Sequence, residues 1–197
     1  MSDESSRNEG ILVFAFVEEG AAAEALETLK NAKKEKTVEY WDAAVIRKDA
    51  RGHYYYNETQ DRSAARGAGV GGVIGGLLGL PLGPAGILLG AGLGAGLGAF
   101  AANTDAGLDD DNVERLGQAL MAGNSALLIV LSRANLSQAQ EYAAQEEIEA
   151  TLQKLTAGIG EHMQHGQNVA YHVTAAGRSV SCHELEAGNP FAKVLGV

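Results

Sequence analysis

The sequence predicts an α+β protein, and three observations carry that expectation. Two short unbroken apolar runs, Ile11–Val17 and Ala126–Leu131, have the length and composition of buried strands. Between and beyond them, segments with helical apolar spacing alternate with segments rich in β-branched and aromatic residues. Finally, residues 67–104 form a stretch of 38 positions with no charge and 14 glycines, set inside an otherwise ordinary charged chain.

Taken in order, residues 1–9 are polar and are expected to be disordered. The strand at Ile11–Val17 is followed by Ala21–Ala32, an Ala- and Leu-rich helix with Leu26 and Leu29 on one face. Val38–Lys48 carries Tyr40, Trp41, Val45 and Ile46, a strand composition. Asp49-Ala-Arg-Gly52 is a turn signal, and His53–Asn57, with three tyrosines, completes a hairpin. After the glycine-rich stretch, Asp109-Asp-Asp-Asn112 stands before Val113, Leu116 and Leu120, a helix with acids at its positive end and Gly123 as its stop. Ala126–Leu131 closes the series. Without the glycine-rich stretch the order is βαββαβ, the ferredoxin-like arrangement. A long helix follows, with a capping signature at Ser137 and Gln140 and a stripe of Ile148, Leu152, Leu155 and Ile159. Asn168–Thr174 and Arg178–Glu184 read as a second hairpin, and 185–197 as a tail. The expected organisation is a disordered 1–9, a body at 10–133 interrupted by a hairpin at 63–104, and a C-terminal 134–197 of helix, β-hairpin and tail.

Charge excludes some partners. With 25 acids against 15 bases, a net charge of −10 and a pI near 4.9, the chain lacks the basic clusters that neutralise nucleic-acid phosphates. The same balance opposes adsorption to anionic lipid, so any membrane contact has to be hydrophobic. Cys182 is the only cysteine, which rules out an intrachain disulfide and suits a reducing compartment. The acidic start, Met1–Gly10, lacks the layout of a signal peptide, and a cytoplasmic protein associated with the cytoplasmic membrane is expected.

The glycine-rich stretch is the strongest functional clue. Gly67, Gly71, Gly75, Gly79 and Gly83 recur every fourth residue, as do Gly86, Gly90, Gly94 and Gly98. That spacing lays a glycine stripe along a helix and lets a second backbone approach closely, the logic of small-xxx-small packing. Pro81-Leu-Gly-Pro84 supplies a turn between helices at 67–80 and 85–102. At ~1.5 Å per residue these are about 21 and 27 Å long, against a hydrocarbon core of ~30 Å. A re-entrant hairpin, or one buried between subunits, suits those lengths better than two full passes. Leu77, Leu78, Leu88 and Leu89 lie toward its tip, while Arg66 and Asp105 mark its two ends. The first helix has six strongly apolar residues among seven glycines, so insertion into lipid is only mildly favourable and a soluble homo-oligomer stands as the second reading.

Several of these blocks occur together in one known family. Asp42-Ala-Ala-Val-Ile-Arg-Lys-Asp49, Arg51-Gly52, the glycine run with Pro81 and Pro84, Gly107-Leu-Asp-Asp-Asp-Asn-Val113 and Ser125-Ala-Leu-Leu-Ile-Val130 give the chain a resemblance, over about residues 11–133, to the family called domain of unknown function 1269. The resemblance implies a ferredoxin-like body interrupted by a glycine-rich helical hairpin, in proteins often labelled as membrane proteins. It brings no catalytic residues. After Arg133 the long helix and the His-containing hairpin depart from the shorter ending associated with the family.

Other motifs weigh less. Gly67-Ala-Gly69-Val-Gly-Gly72 matches a dinucleotide fingerprint in form, but no strand leads into it and the first acid downstream is Asp105. Asp109, Asp110 and Asp111 lack the alternating ligands and distal Glu of a calcium loop; as helix-start acids they contribute ~0.3–1 kcal/mol each. His162 and His165, three apart, form a candidate zinc set with Cys182 or His183, against the plainer reading of polar residues on an exposed helix end and hairpin. Tyr54, Tyr55 and Tyr56 fit ordinary strand packing. Cys182 and His183, as strand neighbours, face opposite sides and are poorly placed to form an activated thiol. The expectation is a non-enzymatic protein with no cofactor, whose partners are itself and a lipid bilayer; a small-ligand or metal-binding regulator is a further alternative.

Overall fold

The computed structural model describes residues 10–52, 54–58, 120–131, 145–176 and 179–197. Six strands, β1 (Ile11–Phe16), β2 (Asp42–Lys48), β3 (Tyr54–Glu58), β4 (Ser125–Val130), β5 (Val169–Ala176) and β6 (Ser179–Glu184), form one antiparallel sheet in the order β3-β2-β4-β1-β5-β6. Among the described residues three helices accompany it: α1 (Ala21–Lys34), α2 (Gln145–Gln164) and α3 (Pro190–Leu195). The class is α+β, as the patterning predicts.

β1 and β4 are buried along their whole length, which explains why both read as continuous apolar runs. Their register pairs Ile11 with Val130 and Phe16 with Ser125. Alternate residues feed two cores. Leu12, Phe14, Phe16, Val45, Leu127 and Ile129 pack with Leu26 and Leu29 of α1. Ile11, Val13, Ala15, Ile46 and Leu128 lie on the other face, in the core that holds Leu155, Ile159 and Met163 of α2. Helices α1 and α2 therefore cover opposite faces, α1 over β1, β2 and β4, and α2 chiefly over β6. Leu155 and Ile159 occupy the expected apolar stripe, and Met163 continues it.

Three expectations meet a different arrangement. The C-terminal hairpin continues the sheet, with β5 paired to β1 from Ile11–Val173 to Ala15–Val169. The expected strand at Val38–Lys48 begins only at Asp42; Val38 is buried from the preceding loop, after Lys36 at φ 58° has turned the chain. Residues 185–197 are not a loose tail. Asn189 caps α3 by accepting from Phe191 N–H at 2.9 Å, Pro190 starts it, and Gly196 ends it at φ 69°. Phe191 and Ala192 are buried, and α3 packs on α1.

The Asp49–Gly52 turn closes as expected. Gly52 N–H donates to Asp49 O at 3.0 Å, Arg51 N–H to the Asp49 side chain at 2.8 Å, and Gly52 takes φ 88°, where a side chain is strained. The capping pair Ser137 and Gln140, the acids Asp109, Asp110 and Asp111, and the helix they were expected to start lie outside the described residues, except for its last positions.

Candidate functional site

The described structure frames the glycine-rich stretch from both ends. On one side of it β3 runs to Glu58, which pairs with Ala44; on the other β4 begins at Ser125, which pairs with Arg47. Three residues along the strand and two strand spacings across separate the two points, about 14 Å at ~3.3 Å per residue and ~4.8 Å per strand. Both attachments therefore sit on one rigid sheet. The residues expected to carry self-association or membrane contact, from Gly67 to Gly98 with Leu77, Leu78, Leu88 and Leu89, lie outside the described residues.

The point of return is built from polar groups, each with a partner. Lys48 Nζ donates to Leu120 O at 2.9 Å, Gly123 N–H to Lys48 O at 2.9 Å and Lys48 N–H to Asn124 O at 2.9 Å. Leu120 is buried at this turn, and Gly123 adopts φ 87°, so the chain reverses sharply there. The buried Asn124 accepts from Met121 N–H at 2.9 Å and donates to Val17 O at 2.9 Å. The buried Ser125 donates to Glu18 O at 2.6 Å and accepts from Ala22 N–H at 3.1 Å. Helix α1 starts at Gly20, which has no capping side chain; the Ser125 hydroxyl, from a strand 103 positions away, accepts one of its first amides instead. From the other side, Asn168 accepts from Val17 N–H at 3.0 Å. Glu19 pairs with Arg47 across the same loop. Loop 17–20 is thus tied to β4, β2 and the start of β5.

The histidine and cysteine candidates are dispersed. Cys182 points into the α2-side core and is buried; burial pushes its thiol up to about 11, against a smaller opposing effect of Lys154, whose ammonium donates to Cys182 O at 2.7 Å. A thiol held protonated is neither a nucleophile nor a ready metal ligand. His183, exposed, lies on the opposite face of β6. His162 and His165 end α2, each with Nδ1 against the carbonyl four residues back, Gly158 at 2.9 Å and Glu161 at 2.8 Å. The Glu161 carbonyl belongs to the last helical turn, where such contacts serve carbonyls without a partner in the helix. Among the described residues no group of three or more His, Cys, Asp or Glu is arranged to hold a metal. The sequence reading groups His172 with these residues but leaves it out of the candidate set, and what it missed is that His172 lies directly opposite His183 across β5 and β6. Equal counting back from Gly177-Arg178 gives that pairing.

Tyr171, opposite Glu184, is buried under α2, and burial first, then Glu184, Cys182 and Glu161, raise its hydroxyl above the usual tyrosine range. No helix among the described residues is long and apolar enough to cross a membrane.

A family model described as Protein of unknown function (DUF1269) matches residues 64–165, just over half of the chain. The match begins at residue 64, just before the glycine-rich stretch, and takes in that stretch, β4 and all of α2; it runs past Arg133, where the sequence reading ended the likeness, and leaves residues 11–63, with the Asp42–Asp49 and Arg51-Gly52 blocks, outside it. No curated protein and no solved structure matches the chain.

Proposed function

The chain belongs to the DUF1269 family of proteins of unknown function, and from that premise we propose that it is a non-enzymatic protein that self-associates and docks on a membrane through a glycine-zipper hairpin at residues 63–104. The observation that carries this reading is the contrast between the uncharged, glycine-striped stretch and a sheet body whose polar groups serve to hold its attachment points. Both attachments lie on one sheet, so a hairpin that entered lipid would leave and return on the same side, the cytoplasmic side in this proposal. In the body, the inner strands β5-β1-β4-β2 and the crossing helix α1 suit a ferredoxin-like core, with β5 in the place that the sequence reading gave to the strand at Tyr54–Glu58. The position of α2 on the other face is a departure from it, and β3 and β6 extend the sheet at its edges.

The second reading keeps the hairpins between subunits of a soluble homo-oligomer. The few strongly apolar residues of its first half favour it, because a glycine-rich helix gains little from lipid. Fractionation of cells without detergent, followed by flotation of the purified protein with neutral lipid vesicles and light scattering of whatever stays soluble, separates the two. Protein that floats and resists a salt wash supports the membrane reading; protein wholly in the soluble pool as a defined oligomer replaces it with the second; a soluble monomer overturns both.

A further inference from the structure

We propose that His172 and His183 form a two-imidazole site for a late first-row divalent metal on the α1-side face of the β5–β6 hairpin. The register pairs the two residues directly. Leu185 N–H donates to Ala170 O at 2.7 Å, and two residues along the same ladder His172 and His183 fall into the same class of hydrogen-bonded pair, with Cα atoms about 5.5 Å apart. Both side chains therefore rise from one face at a separation that a single ion bridges with two ~2.0–2.1 Å metal–nitrogen bonds.

The face around them is graded. Ala170 packs with Phe191 of α3, and Leu185 against the same core, on one side of the pair. On the other side Thr174 and Ser181 join hydroxyls at 2.9 Å. His183 is exposed and His172 half-buried, on the hairpin whose outer strand is a sheet edge, so an ion reaches the pair from solvent and completes its coordination with water. Neutral imidazole suits Zn²⁺, Ni²⁺ and above all Cu²⁺, which binds nitrogen sites most tightly in the series. The pair is independent of the hairpin reading above.

The test uses the full chain and Cu²⁺ as the probe, with Zn²⁺ as competitor. Titration followed by electron paramagnetic resonance should show one equivalent of Cu²⁺ bound through two nitrogens and displaced by excess Zn²⁺. Because the second imidazole binds intramolecularly, H172N and H183N should each weaken the site about a hundredfold. H162N/H165N should leave it unchanged. Thermal melts of the metal-free variants check folding, and the exposed position of His183 keeps H183N informative if H172N is unstable. Unchanged copper affinity in H183N, or loss of the signal in H162N/H165N, overturns the proposal.

Discussion

The hydroxyl of Tyr171 occupies the space that a β-carbon on Gly158 would need: the two would lie 2.0 Å apart, with the ring's Cζ at 2.7 Å. Gly158 in α2 is thus the gap that admits the hydroxyl end of Tyr171 of β5 beneath the helix, and Tyr171 is only 5% exposed, which leaves its ring little room to swing aside. Gly160, two residues on, has open space where its β-carbon would be.

These two glycines give opposite predictions for the same substitution. Gly158→Ala forces overpacking and should cost about 1–3 kcal/mol despite the better helix propensity of alanine. Gly160→Ala should stabilise by up to ~1 kcal/mol, since only propensity changes. Adding Tyr171→Phe to Gly158→Ala should recover part of the loss, a coupling measured by a double-mutant cycle in urea. Equal effects of the two alanines would refute the packing role of Gly158.

Ser125 links the start of α1 to the strand that follows the glycine-rich stretch. Ser125→Ala removes a donor to Glu18 O and an acceptor from Ala22 N–H together, in a buried site. Leaving such groups without partners costs about 1–3 kcal/mol each way, so a loss of at least ~1 kcal/mol is expected in denaturant unfolding. Amide exchange at Ala22 should accelerate in the variant more than exchange in β5, which is the readout specific to the lost cap.

Local pattern carried the elements but not their neighbours. The apolar runs of β1 and β4, the Asp49–Gly52 turn and the Leu26–Leu29 face of α1 are each encoded within a few residues. The place of β5 beside β1 is set by long-range pairing, and its only local trace is that Ala170, Tyr171 and Val173 bury both faces, as a strand inside a sheet does. Helix α3 had a complete start and stop in Asn189, Pro190 and Gly196, yet six residues leave too short a period to register. The Ser125 cap could not be read at all, because its partners sit over a hundred residues away. Of the candidate site, the glycine stripe was legible as spacing; the His172–His183 pair needed the register.

Cys182 and Tyr171 together predict alkaline sensitivity. The thiol's ordinary value of 9.0 rises to about 11 in the folded protein, so the unfolded chain loses this proton first. The folded state binds more protons between those values, and stability falls as pH rises from about 9 toward 11. The raised Tyr171 hydroxyl acts in the same direction at higher pH. Melting temperature should be level near pH 8 and decline above 9, and Cys182→Ala should flatten the first part of the decline. A disulfide-exchange reagent should label Cys182 at pH 8 only as fast as the protein opens; immediate labelling of native protein would contradict its burial.

If the glycine stripe mediates assembly, filling it should prevent close approach. Gly75→Leu with Gly94→Leu puts bulk into both halves of the stripe and should shrink or abolish the oligomer. Light scattering after size exclusion gives the mass. An unchanged mass in the double variant would show that the stripe does not hold subunits together.

The membrane and assembly readings part at the tip of the hairpin. In lipid, Leu88 would be among the deepest residues, and a lysine there opposes insertion by ~2.5–3.5 kcal/mol, enough to shift the partition a hundredfold. Between subunits, the same lysine would face an apolar neighbour and break the oligomer. Leu88→Lys should therefore move the protein from the membrane fraction to the soluble fraction in the first case, and should convert a soluble oligomer to smaller species or aggregate in the second. Arg66→Ala, at the charged end of the stretch, should do neither, since that position stays in water under both readings. A Leu88→Lys protein with wild-type fractionation and wild-type mass would leave the tip exposed to solvent in both, and the hairpin would lose its proposed role.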